Sequence, residues 1–256
     1  MSIVQALVLG IVQGLTEFLP VSSSGHQIVA GRILGLSYVP LGFELVTHLA
    51  TLLAVVIAMR KQFFSLVKRP LQKMNLNIIV ATVPTVIIFL TFRNFFEGLL
   101  DGHLLALCFV ITAILLWISS MIKHKNTKAQ IGILDAAIIG ISQGVAGMPG
   151  ISRSGATIAT AKLLGQSQES AAHFSFLISI PIIIGASLWE FIGGGFSFGI
   201  AVIPAIVGAV ASFTVGFLAI SLFLKLIKKI PLGGFSIYLI ALAVFMVLND
   251  FVFRLF

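Results

Sequence analysis

Long apolar runs dominate the sequence, and six of them have about the length that a helix needs to cross a hydrocarbon core of about 30 Å. They predict transmembrane helices at residues 41–59, 76–92, 103–122, 173–190, 199–224 and 233–253. Shorter apolar segments form two pairs at 3–35 and 131–165, each interrupted by a turn rich in Pro, Ser and Gly. These pairs predict two helical hairpins that enter the membrane and return on the same side.

Composition supports a membrane protein over a soluble one. Of the 256 residues, 59% are hydrophobic and 9% are charged, against about 25% charged residues in soluble domains. The net charge of +8 is spread over an apolar chain, so it favours membrane orientation over nucleic-acid binding. Cys108 is the only cysteine, which excludes an intramolecular disulfide. We therefore predict an all-α polytopic membrane protein.

The two predicted hairpins are copies of each other. A shift of 130 positions aligns residues 3–35 with 133–165 and gives 12 identities in 33 ungapped positions. This indicates two repeats, 1–130 and 131–256, within a single membrane domain. Each hairpin precedes three predicted spans, and an odd number of crossings inverts the second repeat relative to the first.

Basic residues predict the orientation. Eleven of the sixteen follow the first, third or fifth predicted span, and a six-span topology places all three loops on one side. By the positive-inside rule that side is cytoplasmic, so both termini lie outside and the hairpins enter from opposite faces. The eleven residues are Arg60, Lys61, Lys68, Arg69, Lys73, Lys123, Lys125, Lys128, Lys225, Lys228 and Lys229.

The hairpin turns carry polar residues suited to phosphate chemistry. Each turn leads into a helix that begins with serines, whose free N–H groups and positive dipole end attract anions. Arg153 offers a planar guanidinium for phosphate oxygens, while Glu17 and His26 are candidates to move protons for a serine nucleophile. Simpler interpretations remain: the serines as helix caps, His26 as a satisfied interior histidine, and Glu17 with Arg153 as a structural ion pair.

The segments 13–26, QGLTEFLPVSSSGH, and 149–157, PGISRSGAT, resemble the two signature motifs of the undecaprenyl pyrophosphate phosphatase family. The resemblance covers essentially the whole chain. It implies removal of the terminal phosphate from a long-chain prenyl diphosphate at the outer face of the plasma membrane. It also implies a reaction stimulated by Mg²⁺ or Ca²⁺.

Carried over by position, the resemblance assigns the nucleophile to Ser23, with Glu17, His26 and Arg153 as the other catalytic residues. The acidic motif that would hold the cation falls on Gln13 and Glu17. Many members have glutamate where this chain has Gln13, which puts a two-carboxylate metal site in doubt. The residues expected to bind substrate are Ser22, Ser24, Gly150, Ser152, Ser154, Gly155 and Thr157.

Outside the motifs, Glu44 and His48 lie four positions apart on the first predicted span and are candidates for a supporting role beside the site. Several alternatives stay open. His26 or water, instead of Ser23, is a candidate nucleophile. A transporter or flippase of an anionic lipid or small anion is the rival function, because inverted repeats with a midplane anion site are typical of transporters. The sequence leaves open whether the chain forms a homodimer.

Overall fold

The computed structural model describes residues 1–98, 104–122, 127–192 and 199–253. Three predicted features fall at least partly outside this part. They are the start of the third predicted span with the loop before it (residues 99–103), the basic residues Lys123 and Lys125, and the loop at residues 193–198. Within the described part the chain forms eleven α-helices, a short π-helix and no strand. In chain order they are α1 Ile3–Thr16, α2 Ser23–Ile33, α3 Leu41–Ala58, α4 Arg60–Lys68, α5 Lys73–Glu97, α6 Leu105–Met121, α7 Ile133–Val145, α8 Arg153–Leu163, α9 Gln168–Ile192, α10 Val202–Leu226, α11 Leu232–Leu248 and the π-helix Asn249–Phe253.

Five helices of the described part are long and apolar enough to cross a membrane: α3, α5, α9, α10, and α11 with its π-helical extension. They confirm an all-helical, multi-pass membrane protein. The remaining predicted span corresponds to α6, an apolar helix of 17 residues. The observed helices α5 and α9 are each 25 residues long and extend beyond the ranges predicted from the sequence.

Helices α1 with α2, and α7 with α8, form two helix–turn–helix units of nearly the same size. Their first helices have 14 and 13 residues and their second helices have 11 each. The side chains of Ser22 and Ser152 cap the second helices by accepting the N–H groups of Gly25 and Gly155, at 3.3 and 3.0 Å. Both turns therefore end in a capped helix N-terminus.

Glycines allow the first helix of each unit to pack closely on a long helix from the other half of the chain. A Cβ atom on Gly10 of α1 would lie 2.6 Å from the carbonyl oxygen of Gly208 on α10. A Cβ atom on Gly140 of α7 would overlap the carbonyl oxygen of Ala81 on α5. Small residues allow such close backbone approach between membrane helices. Gly10 and Gly140 occupy equivalent positions at the offset of 130.

A buried aromatic cluster lies beneath the first turn. The rings of Phe18 and Phe176 meet edge to face at 5.1 Å, and Phe176 lies 5.9 Å from Phe223. Phe18 and Phe176 are at most 2% exposed. Such packing holds the turn after α1 against α9 and α10.

Helix α4 was not predicted. The stretch after the first predicted span was interpreted as a basic loop, but Arg60–Lys68 is helical and has no buried residue. Its nine residues are too few and too charged for a spanning run, so neither length nor composition marked it as a helix.

Candidate active site

A cavity of about 480 Å³ lies where the two turns meet the long helices α3, α5 and α9. The turns and the first residues of the helices that follow them contribute half of its polar side chains, while α5 and α9 contribute most of its apolar wall. Its lining includes Glu17, Ser22, Ser23, Ser24, Leu41, Glu44, His48, Thr85, Val86, Phe89, Leu90, Gln143, Ser152, Arg153, Ile182, Ile183, Trp189 and Glu190. The cavity therefore joins a polar end to an apolar wall.

The carboxylate of Glu17 is the centre of the polar end. Its Oε2 accepts hydrogen bonds from the hydroxyl of Ser23 at 2.7 Å and from Nε2 of Gln13 at 2.9 Å. Its Oε1 pairs with the guanidinium of Arg153. Glu17 is 4% exposed, and a buried charge needs such partners to offset its lost hydration.

Local backbone geometry brings the Ser23 hydroxyl and the Glu17 carboxylate together. Glu17 is the C-cap residue of α1, and Ser23 is the first residue of α2. Between them Ser22 has a φ angle of 71°, a left-handed conformation that costs about 1–3 kcal/mol in a residue with a side chain. This turn brings the Ser23 hydroxyl back onto Glu17.

Three contacts join the two turns to each other besides the ion pair. The hydroxyl of Ser154 donates to the carbonyl oxygen of Leu19 at 2.8 Å. The N–H group of Gly150 donates to the hydroxyl of Ser24 at 3.5 Å. A Cβ atom on Gly25 would lie 3.2 Å from Cα of Gly150, so the backbones themselves touch. The turns of the two units are therefore in direct contact and together form the polar end of the cavity.

The predicted substrate-binding residues divide into two groups. Ser22, Ser24 and Ser152 line the cavity. The others lie behind it, where Ser154, Gly155 and Thr157 are buried and Gly150 adopts a left-handed φ of 93°. The hydroxyl of Thr157 bonds to Ser175 at 2.6 Å. This second group supports the turn.

His26 lies outside the lining of the cavity. Its Nδ1 bonds to the carbonyl oxygen of Ser22 and its Nε2 to the hydroxyl of Tyr238, each at 2.7 Å. Its ring stacks on Tyr238 and meets the edge of Phe109. No sequence signal identifies Tyr238 as its partner, because the two residues are 212 positions apart.

Glu44 and His48 do line the cavity, as their spacing on one helix suggested. His48 Nε2 lies 3.6 Å from Oε2 of Glu17. Sequence reasoning missed Glu190 and Gln143 as cavity residues. Glu190 lies near the end of α9, and only the packing of α9 beside the turns places it at the cavity.

The described residues do not fit a resident divalent cation at the predicted position. Both oxygens of Glu17 already face donors, and the amide oxygen of Gln13 accepts from Nε2 of Gln27 at 3.3 Å. Across the described ranges, no three His, Cys, Asp or Glu residues are grouped to hold a metal ion. Dependence on Mg²⁺ or Ca²⁺ stays a prediction from the resemblance.

The arrangement is suited to transfer of a phosphoryl group. It combines a hydroxyl bonded to a carboxylate, a guanidinium on the same carboxylate, and the N-termini of α2 and α8. Such a set supplies a nucleophile, a proton acceptor and positive charge for phosphate oxygens.

Comparison with known proteins gives consistent matches over nearly the whole chain. The family described as "Bacitracin resistance protein BacA" matches residues 6–245. A protein of Carboxydothermus hydrogenoformans named undecaprenyl-diphosphatase is 42% identical over 247 residues, 94% of each chain. One of Christiangramia forsetii with the same name is 40% identical over 93% of this chain and 94% of its own. "Undecaprenyl-diphosphatase 4" of Bacillus thuringiensis subsp. konkukian is 37% identical over 98% of both chains.

Proposed function

Because the chain belongs to the bacitracin resistance protein BacA family, we propose that it hydrolyses undecaprenyl diphosphate to the monophosphate and inorganic phosphate. The relatives that match bear the name undecaprenyl-diphosphatase. The observation that carries the proposal is the Ser23–Glu17–Arg153 chain of hydrogen bonds at the polar end of the cavity. The apolar wall beside it suits a prenyl tail, since Val86, Leu90 and Ile183 line it.

In the proposed reaction, Ser23 attacks the terminal phosphorus of the lipid diphosphate. Glu17 accepts the serine proton across the 2.7 Å hydrogen bond. Arg153 and the N-termini of α2 and α8 stabilise the negative charge on the transferring phosphoryl oxygens. Water then hydrolyses the phosphoserine intermediate. No step in this scheme uses a metal ion.

The membrane arrangement that accompanies this proposal has six spans and two re-entrant hairpins. In it α6, the third span in chain order, completes the six, and the units α1–α2 and α7–α8 are the hairpins. The matching helix lengths and the equivalent glycines Gly10 and Gly140 support an inverted repeat within one membrane domain. The bonded turns of the two units would lie near the midplane, where only backbone buried in protein or lining a cavity is tolerated.

The orientation follows from the ends of the helices that line the cavity. Leu41 begins α3, while Leu90 and Trp189 lie toward the ends of α5 and α9. The described basic residues predicted to be cytoplasmic lie at or beyond the opposite ends of α3 and α5, where Arg60 and Lys73 are examples. This supports a cavity that opens to the outside of the plasma membrane, with both termini on that side.

The rival function of a transporter or flippase finds no support among the relatives that match, which bear a phosphatase name. The two turns are also chemically different. At equivalent positions of the repeat, Ser23 corresponds to Arg153 and Glu17 to Gly147. An asymmetric pair of turns is expected of a catalytic site, which needs different groups on the two sides of the phosphorus.

The proposal is tested by incubating the purified protein in detergent with undecaprenyl diphosphate and identifying both products. We expect one inorganic phosphate and one undecaprenyl monophosphate for each substrate consumed. Glu17→Gln should abolish the release, because an amide cannot accept the serine proton. Glu169→Gln, which alters a carboxylate paired with Lys228 away from the cavity, is the matched control and should retain activity. Release of inorganic pyrophosphate in place of phosphate, or no hydrolysis by the unmodified protein, would refute the proposed function.

A further inference from the structure

Two histidines of the described part lie near the reacting groups, and the structure gives them different surroundings. His26 belongs to the first turn and was predicted to be catalytic. Its Nδ1 must carry a proton, because the carbonyl oxygen of Ser22 can only accept one. Its Nε2 then accepts the hydroxyl hydrogen of Tyr238. Both nitrogens of His26 therefore have protein partners, as in an interior structural histidine.

His48 has one nitrogen fixed and the other facing the site. Its Nδ1 lies 2.8 Å from the carbonyl oxygen of Glu44, so this nitrogen carries the proton of the neutral ring. Its Nε2 thus presents a lone pair, and it lies 3.6 Å from Oε2 of Glu17. That same oxygen accepts the Ser23 hydroxyl. The side chain of His48 is 34% exposed and lines the cavity.

We propose that His48, and not His26, is the imidazole that takes a proton during the reaction, while His26 holds the first turn against α11 through Tyr238. The inference rests on the proposed function, since it assigns a residue of that same site. It adds a base from α3, a helix outside both signature segments. A separation of 3.6 Å from Glu17 is longer than a hydrogen bond, and the 34% exposed side chain opens on the cavity, so a water molecule can reach Nε2 from that side.

The proton balance of the two half-reactions shows why a second base is useful. In the first, the Oγ–P bond of Ser23 forms, the bridging P–O bond breaks, its electron pair leaves with the prenyl monophosphate, and the serine proton moves to Glu17. Glu17 is then protonated and cannot serve as base again. In the second, water attacks phosphorus and gives its proton to Nε2 of His48. The Oγ–P bond breaks and Ser23 recovers the proton held by Glu17.

Charged groups on several elements line the cavity together with His48. Glu17 comes from the first turn and is the one in contact with His48, Arg153 comes from α8, Glu190 from α9, and Glu44 lies on α3 itself. Of the other helices packed against α3, none of α1, α4 and α10 contributes a charged residue to the described lining.

The test compares His48→Gln with His26→Gln in kcat, KM and pH profile. Glutamine keeps a polar side chain but cannot carry a proton, so we expect His48→Gln to lower kcat by about 100-fold or more, the usual contribution of a general base. KM should change less than about threefold. A proton acceptor works only in its unprotonated form, so kcat of the unmodified enzyme should fall at low pH along a limb that His48→Gln lacks. His26→Gln and Tyr238→Phe should keep the limb and lower thermal stability instead.

A second measurement separates chemistry from folding. Imidazole added to His48→Ala should restore part of the lost turnover, because a small base can occupy the space of the missing ring. Imidazole should not rescue His26→Ala. Normal kcat in His48→Gln, or rescue of the His26 variant alone, would overturn the inference while leaving the phosphatase intact. Failure of the unmodified protein to release phosphate would instead refute the proposed function on which the inference rests.

Discussion

Glu17 and Arg153 lie 136 positions apart and form an ion pair between the turns of the two helix–turn–helix units. Their side chains are 2% and 19% exposed. Removing one partner of such a pair leaves an uncompensated charge and costs about 3–5 kcal/mol. The same contact therefore serves two purposes: it holds the turns together, and it places a guanidinium beside the carboxylate that accepts the hydrogen bond of Ser23.

Arg153→Lys should lower kcat/KM for undecaprenyl diphosphate by about 100-fold or more, measured by phosphate release. A lysine supplies a point charge in place of a fork that binds two oxygens at once, and a single lost donor to a transition-state oxyanion costs about 100- to 1000-fold. Lys128→Arg, at an ion pair with Asp135 remote from the cavity, is the control for altered basic side chains and should be nearly neutral. Normal activity in Arg153→Lys would show that charge alone suffices.

Ser23→Ala should reduce turnover at least about a thousandfold while a nonhydrolysable prenyl diphosphonate still binds, because the change removes only the attacking hydroxyl. Ser120→Ala, at a half-buried serine that bonds to the carbonyl of Trp117 away from the cavity, should match the unmodified protein. Near-normal turnover in Ser23→Ala combined with an inactive His26→Ala would make His26 the nucleophile.

Gln13→Ala should have a milder effect, about tenfold or less in kcat, since the neutral amide orients Glu17 without moving a proton. Gln13→Glu removes that donor and places a second carboxylate beside the first. We expect its activity to depend more strongly on added Mg²⁺ or Ca²⁺ than that of the unmodified protein. The measurement is a titration of phosphate release against divalent cation after treatment with EDTA. Equal cation dependence in both proteins would contradict this expectation.

Gly140→Ala should destabilise the fold by about 1–3 kcal/mol, the usual cost of overpacking, because its Cβ would overlap the backbone of α5 at Ala81. Thermal unfolding in detergent should show a lower apparent Tm. Gly234→Ala is the matched control, since no atom lies within 4 Å of the new Cβ, and its Tm should be unchanged or higher. Equal Tm values for the two variants would mean that α5 and α7 do not pack this closely.

Single cysteines test the topology. Lys68→Cys and Lys228→Cys should resist an impermeant thiol reagent in intact cells, because both positions lie among the basic residues assigned to the cytoplasm. Tyr38→Cys should react, since Tyr38 is 77% exposed and precedes α3 on the opposite side. The native Cys108 is 1% exposed and should give no background. Labelling at Lys68 or Lys228 would reverse the assigned orientation of the cavity.

Much of the fold follows from local sequence signals, while the surroundings of the site depend on long-range packing. The turn rich in Pro, Ser and Gly that was predicted within residues 3–35 lies between the observed end of α1 at Thr16 and the start of α2 at Ser23. Helical spacing also placed His48 near the site. The Tyr238 partner of His26 and the cavity position of Glu190 had no local signal, because the packing of α11 and α9 against the turns determines both.

The close packing of α1 on α10 has a consequence for biogenesis. Ser212 donates a hydrogen bond to the carbonyl oxygen of Gly10, and the two residues are 202 positions apart. At a synthesis rate of about 5–20 residues per second, roughly 10 to 40 seconds separate their emergence from the ribosome. During that interval the first unit has none of its contacts with α10. Completion of the site is therefore a late event in membrane insertion, and a nascent chain arrested before α10 would carry Glu17, Ser23 and Arg153 without the packing that fixes α1.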